Sequence, residues 1–311
     1  MSRSTGGSAE PWREVVIEPG SLRPPATPDR TSSKLDRGTV LVVAGGRACP
    51  GAAILSAAAA LRAGAGRVQI ITDATHATNV AIALPESMVH GYESRGSGWT
   101  VDDAAREAIG AADAILVGPG LTDEGPHLAR TVLAVANAEA RIVLDAAALS
   151  GVEPDRMRPG CVLLPNPTEV GKVVDDSPDV GSPDHIPAAA IDAARSTGAV
   201  VAVRGAVTAV ADPDTRVVYV LDDPCPGLAV SGSGDVLAGV VAACCARDGG
   251  GAAAATTWAV AVHREAGRVL TERVGTTGFL ASEIAATIPD ATRRLEDKAR
   301  GQDALVIASE A

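Results

Sequence analysis

Apolar residues fall in short, nearly unbroken blocks along the chain, at Thr39 to Val43, Arg67 to Ile71, Ala114 to Val117, Ile142 to Leu144 and Val200 to Val203. A strand with one face in water alternates apolar and polar positions. These blocks do not alternate, so each is predicted to be a strand covered on both faces. Ala-rich helical stretches separate them, and strands alternating with helices predict an α/β fold around a mostly parallel sheet. Val207 to Ala211 and Val217 to Leu221 flank Asp212-Pro213-Asp214-Thr215, which predicts a hairpin and an antiparallel edge. Helices are predicted after it at about 235 to 247, 252 to 271 and 278 to 287. The rhythm runs without a linker and predicts one domain over 38–288. Residues 1–37, rich in Pro, Ser, Arg and Asp, read as a flexible or surface-wrapping N-terminal extension. Residues 289–311 read as a charged C-terminal tail, a frayed helix.

Composition narrows the class. Of 311 residues, 46% are hydrophobic and 21% charged, which excludes a wholly disordered chain, and the 2% aromatic share means that Ala, Val, Leu and Ile build the core. A formal charge of -11 argues against nucleic acid and anionic membrane as partners, because both need a basic patch. No apolar stretch after the N-terminal charge reads as a secretory signal, and none reaches the roughly 20 residues of a bilayer span. Cys49, Cys161, Cys225, Cys244 and Cys245 are odd in number and lack Cys-x-x-Cys spacing, so they are expected to be reduced and buried. A soluble, cytoplasmic protein is the expectation.

The most informative segment is Gly227-Leu228-Ala229-Val230-Ser231-Gly232-Ser233-Gly234-Asp235, a small-residue loop leading directly into an apolar helix. Glycines let backbone N–H groups approach an anion closely, and the helix N-terminus adds a positive dipole end at the same point. Asp235 alone fits a helix cap. Beside a phosphate-cradling loop it also fits a base that takes a hydroxyl proton as the oxygen attacks phosphorus. The five histidines lack metal-ligand spacing, and His263 has a structural or surface role as its default.

Four segments in this order carry a family resemblance: Ala44-Gly45-Gly46-Arg47-Ala48-Cys49-Pro50-Gly51-Ala52-Ala53 with Ala60 to Gly66, then Pro85-Glu86-Ser87-Met88-Val89, Gly118-Pro119-Gly120-Leu121, and Gly227 to Gly239. The chain resembles the ADP/ATP-dependent NAD(P)H-hydrate dehydratases of the ribokinase-like superfamily over about residues 38–288. That resemblance implies a three-layer α/β/α sandwich, with NADHX or NADPHX as substrate and ADP, or else ATP, as phosphoryl donor with Mg2+. It implies homo-oligomers, commonly tetramers, and a separate epimerase in the same pathway. Carried over residue by residue, Ala52, Gly120, Asn166 and Asp235 bind substrate, with Asp235 as the catalytic base. Arg204, Gly205, Ala206, Val207, Thr208, Gly232, Ser233 and Gly234 bind the nucleotide, and Glu169 arranges magnesium indirectly.

Two departures bear on the substrate. Leu164-Pro165-Asn166-Pro167-Thr168-Glu169 has Asn166 where the family commonly has His, and Ala147 stands where it usually shows an acid. Asn hydrogen-bonds but carries no proton at neutral pH. Asp145, retained, reads either as a cap of the next helix or as a group near metal or substrate. Asn166 with Glu169 also resembles the Asn-x-x-Glu motif of kinases in this superfamily, so a kinase of a small hydroxymethyl or hydroxyethyl heterocycle is the second reading. A nucleotide-binding protein without catalysis is the third.

Overall fold

The computed structural model describes residues 11–18, 21–25, 31, 33–95, 98–174, 180–247 and 251–309. Among these, eleven strands form one sheet: β1 (Arg13–Val16), β2 (Thr39–Val43), β3 (Arg67–Asp73), β4 (Met88–Arg95), β5 (Gly98–Val101), β6 (Ala114–Val117), β7 (Arg141–Leu144), β8 (Val162–Leu163), β9 (Val200–Val203), β10 (Val207–Asp212) and β11 (Val217–Asp222). Their order is β1-β11-β10-β9-β8-β7-β6-β2-β3-β4-β5. The pairs from β9 through β4 are all parallel, while β10, β11 and β5 add antiparallel pairs at the two ends. The centre of the sheet is buried outright, β2 and β6 at every position, as their unbroken apolar sequences require.

Helices α1 (Gly51–Arg62), α2 (Ala77–Ala83), α6 (Ser233–Ala246), α7 (Ala252–Arg273) and α8 (Ala281–Ser309) cover one face. Helices α3 (Asp103–Ala111), α4 (Gly125–Val135) and α5 (Ile186–Thr197) cover the other. Each face has its own apolar cluster, so the fold is the expected α/β/α sandwich. Small residues let the layers approach. At Gly239, a Cβ would collide with the backbone of Ser56, and the close passage of α6 over α1 depends on its absence.

The chain adds β3 and β4 on one side of β2, then returns to add β6 to β9 on the other. This reversal opens a crevice at the carboxyl ends of β2 and β6, where open α/β sheets bind ligands. The turns after these strands are locked together, with Gly45 N–H donating to Pro119 O and Gly46 N–H to Gly120 O, both at 2.9 Å.

Several elements differ from the sequence expectation. In the N-terminal extension, expected to be flexible or surface-wrapping, β1 is a strand that the sequence pattern does not predict: it pairs in parallel with β11 at the end of the sheet, and Leu22 is buried in the core. The Val15-Val16 pair supplies β propensity too briefly to register as a period. Residues 1–10 lie outside the described residues. At the other end, α8 runs through Pro289 to Ser309, so the expected boundary at 289 falls inside a helix. Ile288, Ala291 and Leu295 are buried on either side of the proline and pack the helix into the core across it, and Asp290 pairs with Arg273, Arg293 and Arg294. The cysteines are all free, yet Cys49 is exposed and Cys225 half-buried, because both sit in loops that join a strand to the next helix, Cys49 after β2 and Cys225 after β11. No helix among the described residues is long and apolar enough to cross a membrane.

Candidate active site

The anion-loop segment ends at Gly232, whose φ of 86° is left-handed and whose missing side chain leaves space for Leu55 and Ala281. From there α6 begins with Ser233, Gly234 and Asp235. Ser233 N–H turns back to Val230 O at 3.1 Å, leaving the N–H groups of Gly234 and Asp235 as helix-terminal donors with no acceptor in the helix. Ser56 of α1 donates to Asp235 O at 3.0 Å and pins this turn against the neighbouring helix.

Residues that follow β7, β8 and β9 come together beside this helix. Asp145 follows β7 and is buried, accepting Ala146 N–H at 2.9 Å and Arg204 Nη2 at 2.7 Å. It is therefore both the local cap and one half of an ion pair. Arg204 follows β9 and also lies 3.7 Å from Glu169, which in turn pairs with Lys172 at 3.2 Å. The Arg204 Nε is buried and has no acceptor among the described residues, so this donor is free to pair with a ligand. A side chain at Gly234 would lie 2.5 Å from Arg204 Nη1, so the glycine is what lets the guanidinium cross the helix end. Close packing fixes Asp145 too: Gly118, at φ 131°, faces its carbonyl with no room for a Cβ.

Burial and the nearby Asp145 charge push the Asp235 carboxyl up to about 6, with Arg204 opposing. Burial likewise raises Asp145, against the pull of Arg204. A carboxyl near 6 is ionised at neutral pH and basic enough to take up a proton.

Arg204, Gly205, Ala206, Thr208, Ser233, Gly234 and Asn166 line one cavity of about 670 Å³, whose other wall is apolar, with Leu228, Val230, Leu237 and Val260. The sequence-predicted nucleotide residues are thus brought together, with Gly232 at the helix cap and Val207 opening β10. Asn166 Oδ1 is engaged by its own turn, accepting from Thr168 N, Thr168 Oγ1 and Glu169 N. Only its amide NH2 is left for a ligand. Ala52 and Gly120 stand apart, packed on each other at the β2–β6 crevice, and the Ala52 side chain is buried. Whatever Ala52 offers a ligand comes from backbone or shape.

Two residues without a predicted binding or catalytic role hold the loops that line this cavity. His263 on α7 is buried, not on the surface, and its Nε2 lies 3.1 Å from Ser233 O and 3.2 Å from Ser233 Oγ. Burial holds it neutral, down at about 3. Arg264 donates to Asp223 O, to Gly205 O at 3.3 Å, Ala206 O at 3.0 Å and Thr208 Oγ1 at 2.9 Å. Adjacent residues of one helix therefore set both loops. The available signal was three polar residues, His263 to Glu265, inside a helical stretch with no polar face.

A family model described as NAD(P)H-hydrate dehydratase matches residues 40–290. The chain belongs to this family. An ADP-dependent (S)-NAD(P)H-hydrate dehydratase of Xanthomonas campestris is 39% identical over 286 residues, covering 91% of this chain and 98% of that protein. The chain spans about half the length of the bifunctional NAD(P)H-hydrate repair enzymes it also matches. Among solved structures, the ADP/ATP-dependent NAD(P)H-hydrate dehydratase of Bacillus subtilis, co-crystallised with ATP/Mg2+, superposes with a TM-score of 0.75 at 25% identity, covering 89% of this chain and 96% of that one. A ribokinase-like superfamily protein of Enterococcus faecalis has the same fold, with a TM-score of 0.75 at 22% identity over 91% of this chain and 96% of that one.

Proposed function

We propose that the chain is an ADP-dependent (S)-NAD(P)H-hydrate dehydratase, which restores NADH or NADPH from the hydrated cofactor. The observation that carries the catalytic part is Asp235: a carboxylate with its acidity tuned to about 6, on the first turn of a glycine-led helix, beside Arg204 and a cavity of nucleotide size. Nucleotide phosphates lie against the Gly234 and Asp235 N–H groups and the free Arg204 Nε. The adenine side lies along the apolar wall. Asp235 accepts the proton of the ring hydroxyl as that oxygen attacks the terminal phosphorus of ADP, and the bond to the AMP oxygen breaks.

Hydroxide leaves poorly, whereas phosphate leaves readily. The ring nitrogen's lone pair expels it, a proton leaves the adjacent ring carbon, and the balance is hydrate plus ADP to NAD(P)H, AMP and phosphate. The helix-terminal amides stabilise charge on the group in transfer. Asp145 and Glu169 are both held by Arg204, and among the described residues no cluster of three or more His, Cys, Asp or Glu is placed to hold a metal. Glu169 would be the residue to hold a Mg2+ indirectly, alongside the bound nucleotide. Mg2+ supplies charge neutralisation when bound. A cytoplasmic homo-oligomer, a tetramer on the family resemblance, completes the reading.

Product analysis tests it: with ADP and hydrated cofactor, one AMP and one phosphate form per NAD(P)H restored. A stable phosphorylated product from a small alcohol, with no effect of hydrated cofactor, points to the kinase reading instead.

A further inference from the structure

A second cavity, also about 670 Å³, opens at the carboxyl ends of β2, β3 and β4, and nothing in the phosphoryl transfer uses it. Its floor is a fixed assembly. Tyr92 is buried and donates to Glu124 Oε1 at 3.0 Å, while the Thr122 hydroxyl donates to Glu124 Oε2 at 2.7 Å. The Glu124 carboxylate packs against Gly46, where a Cβ would have no space. Trp99, on the β4–β5 hairpin, meets Tyr92 edge-on with centroids 5.4 Å apart and is half-buried at the cavity. A rigid indole beside carboxylates suits a flat base carrying a hydroxylated sugar: the ring takes the base by stacking, and carboxylates accept from ribose hydroxyls.

The lining is also strongly selective for charge. Arg47 faces four carboxylates, Asp73, Glu93, Asp123 and Glu124, so a further dianionic phosphate meets net repulsion. The interlocked turns at Gly45-Gly46 and Gly118-Gly120 form the wall between this cavity and the Asp145 strand end. With neighbouring strands about 4.8 Å apart, β3 lies roughly 15 Å from β7, a span an extended dinucleotide crosses.

Building on the proposed dehydratase, we infer that this cavity receives the adenosine half of the dinucleotide, stacks its adenine on Trp99 and selects the ribose with a free 2′-hydroxyl. NADHX is then preferred over NADPHX.

The test is calorimetric binding of the stable products, NADH and NADPH, which does not depend on turnover. Wild type binds NADH at least about tenfold tighter than NADPH, and Trp99→Ala weakens NADH about tenfold, the loss of one stacked base. Asp123→Arg, on an exposed loop, narrows the NADH to NADPH ratio without touching the hairpin, and melting curves establish that both variants are folded. Equal or tighter NADPH binding, no measurable NADH binding by wild type, or NADH binding indifferent to Trp99 overturns the inference. Hydrate turnover is measured in parallel. Normal turnover with no Trp99 dependence sinks this site alone, whereas Trp99-dependent NADH binding without turnover sinks the dehydratase reading and leaves the site standing.

Discussion

Replacing Asp235 by Asn separates activity from stability in opposite directions. Asn keeps the shape and hydrogen-bonding capacity of the side chain but accepts no proton, so the first chemical step loses its base. Such catalysis is worth about 10² to 10⁴ in rate, and kcat is expected to fall by that factor while nucleotide binding is retained. Stability moves the other way. In the folded protein the carboxyl is raised from 3.8 to about 6, so the folded state binds its proton more tightly than the unfolded chain does. Its protonated form stabilises the fold below about pH 4, and that contribution is lost as pH rises through about 6. Two pH units correspond to roughly 3 kcal/mol, which partial exposure reduces to about 1–2 kcal/mol. At pH 8, where wild type carries the charged group, Asp235→Asn should melt about 2–5 °C higher. The gain should vanish near pH 4, where both side chains are neutral. Calorimetric melts at the two pH values provide the assay. A variant that melts no higher than wild type at pH 8, or whose advantage is the same at pH 4, refutes the desolvated-base argument.

Other consequences are open to direct measurement. For wild type, log kcat/KM plotted against pH should bend down as pH falls through about 6, and the bend should persist when the nucleotide is saturating but the hydrate is not. Arg264→Met removes the donor that gathers Gly205 O, Ala206 O and Thr208 Oγ1, so KM for ADP should rise about tenfold with a smaller change in kcat, and Arg264→Lys should restore part of the loss. Gly118→Ala forces a Cβ onto the Asp145 carbonyl at a left-handed φ and should destabilise by about 2–4 kcal/mol, read as a lower urea midpoint with unchanged m.

The two-sided burial of the central strands is visible in their composition, and β2, β3, β6, β7, β9 and the β10–β11 hairpin lie where their apolar blocks predict. The missed strands fail that test for identifiable reasons. β8 has two residues, β1 pairs two charged residues with two valines at a largely exposed edge, and β4 carries His90, Gly91 and Glu93 among its apolar positions because it lies near the sheet edge. The glycine-led helix start at Gly232 to Asp235 is likewise legible, since its chemistry is contiguous in sequence. The ion pair of Asp145 with Arg204 is not, because its members are 59 residues apart and follow β7 and β9, which flank β8 only in the folded sheet. Arg264 was hidden for a related reason. A buried guanidinium looks like a surface residue until the carbonyls that pair with it are folded around it.

Asp235, as the proposed base of nucleotide-dependent dehydration, makes recovery of the reduced cofactor depend on one carboxylate. Purified protein is mixed with hydrated NADH, Mg2+ and either ADP or ATP, and the return of reduced-nicotinamide fluorescence is followed beside an Asp235→Asn control. Recovery with ADP in wild type, at least 100-fold slower in the variant, is the predicted result. Folded, nucleotide-binding wild-type protein that restores no fluorescence with either donor, or an Asp235→Asn variant as fast as wild type, would contradict it.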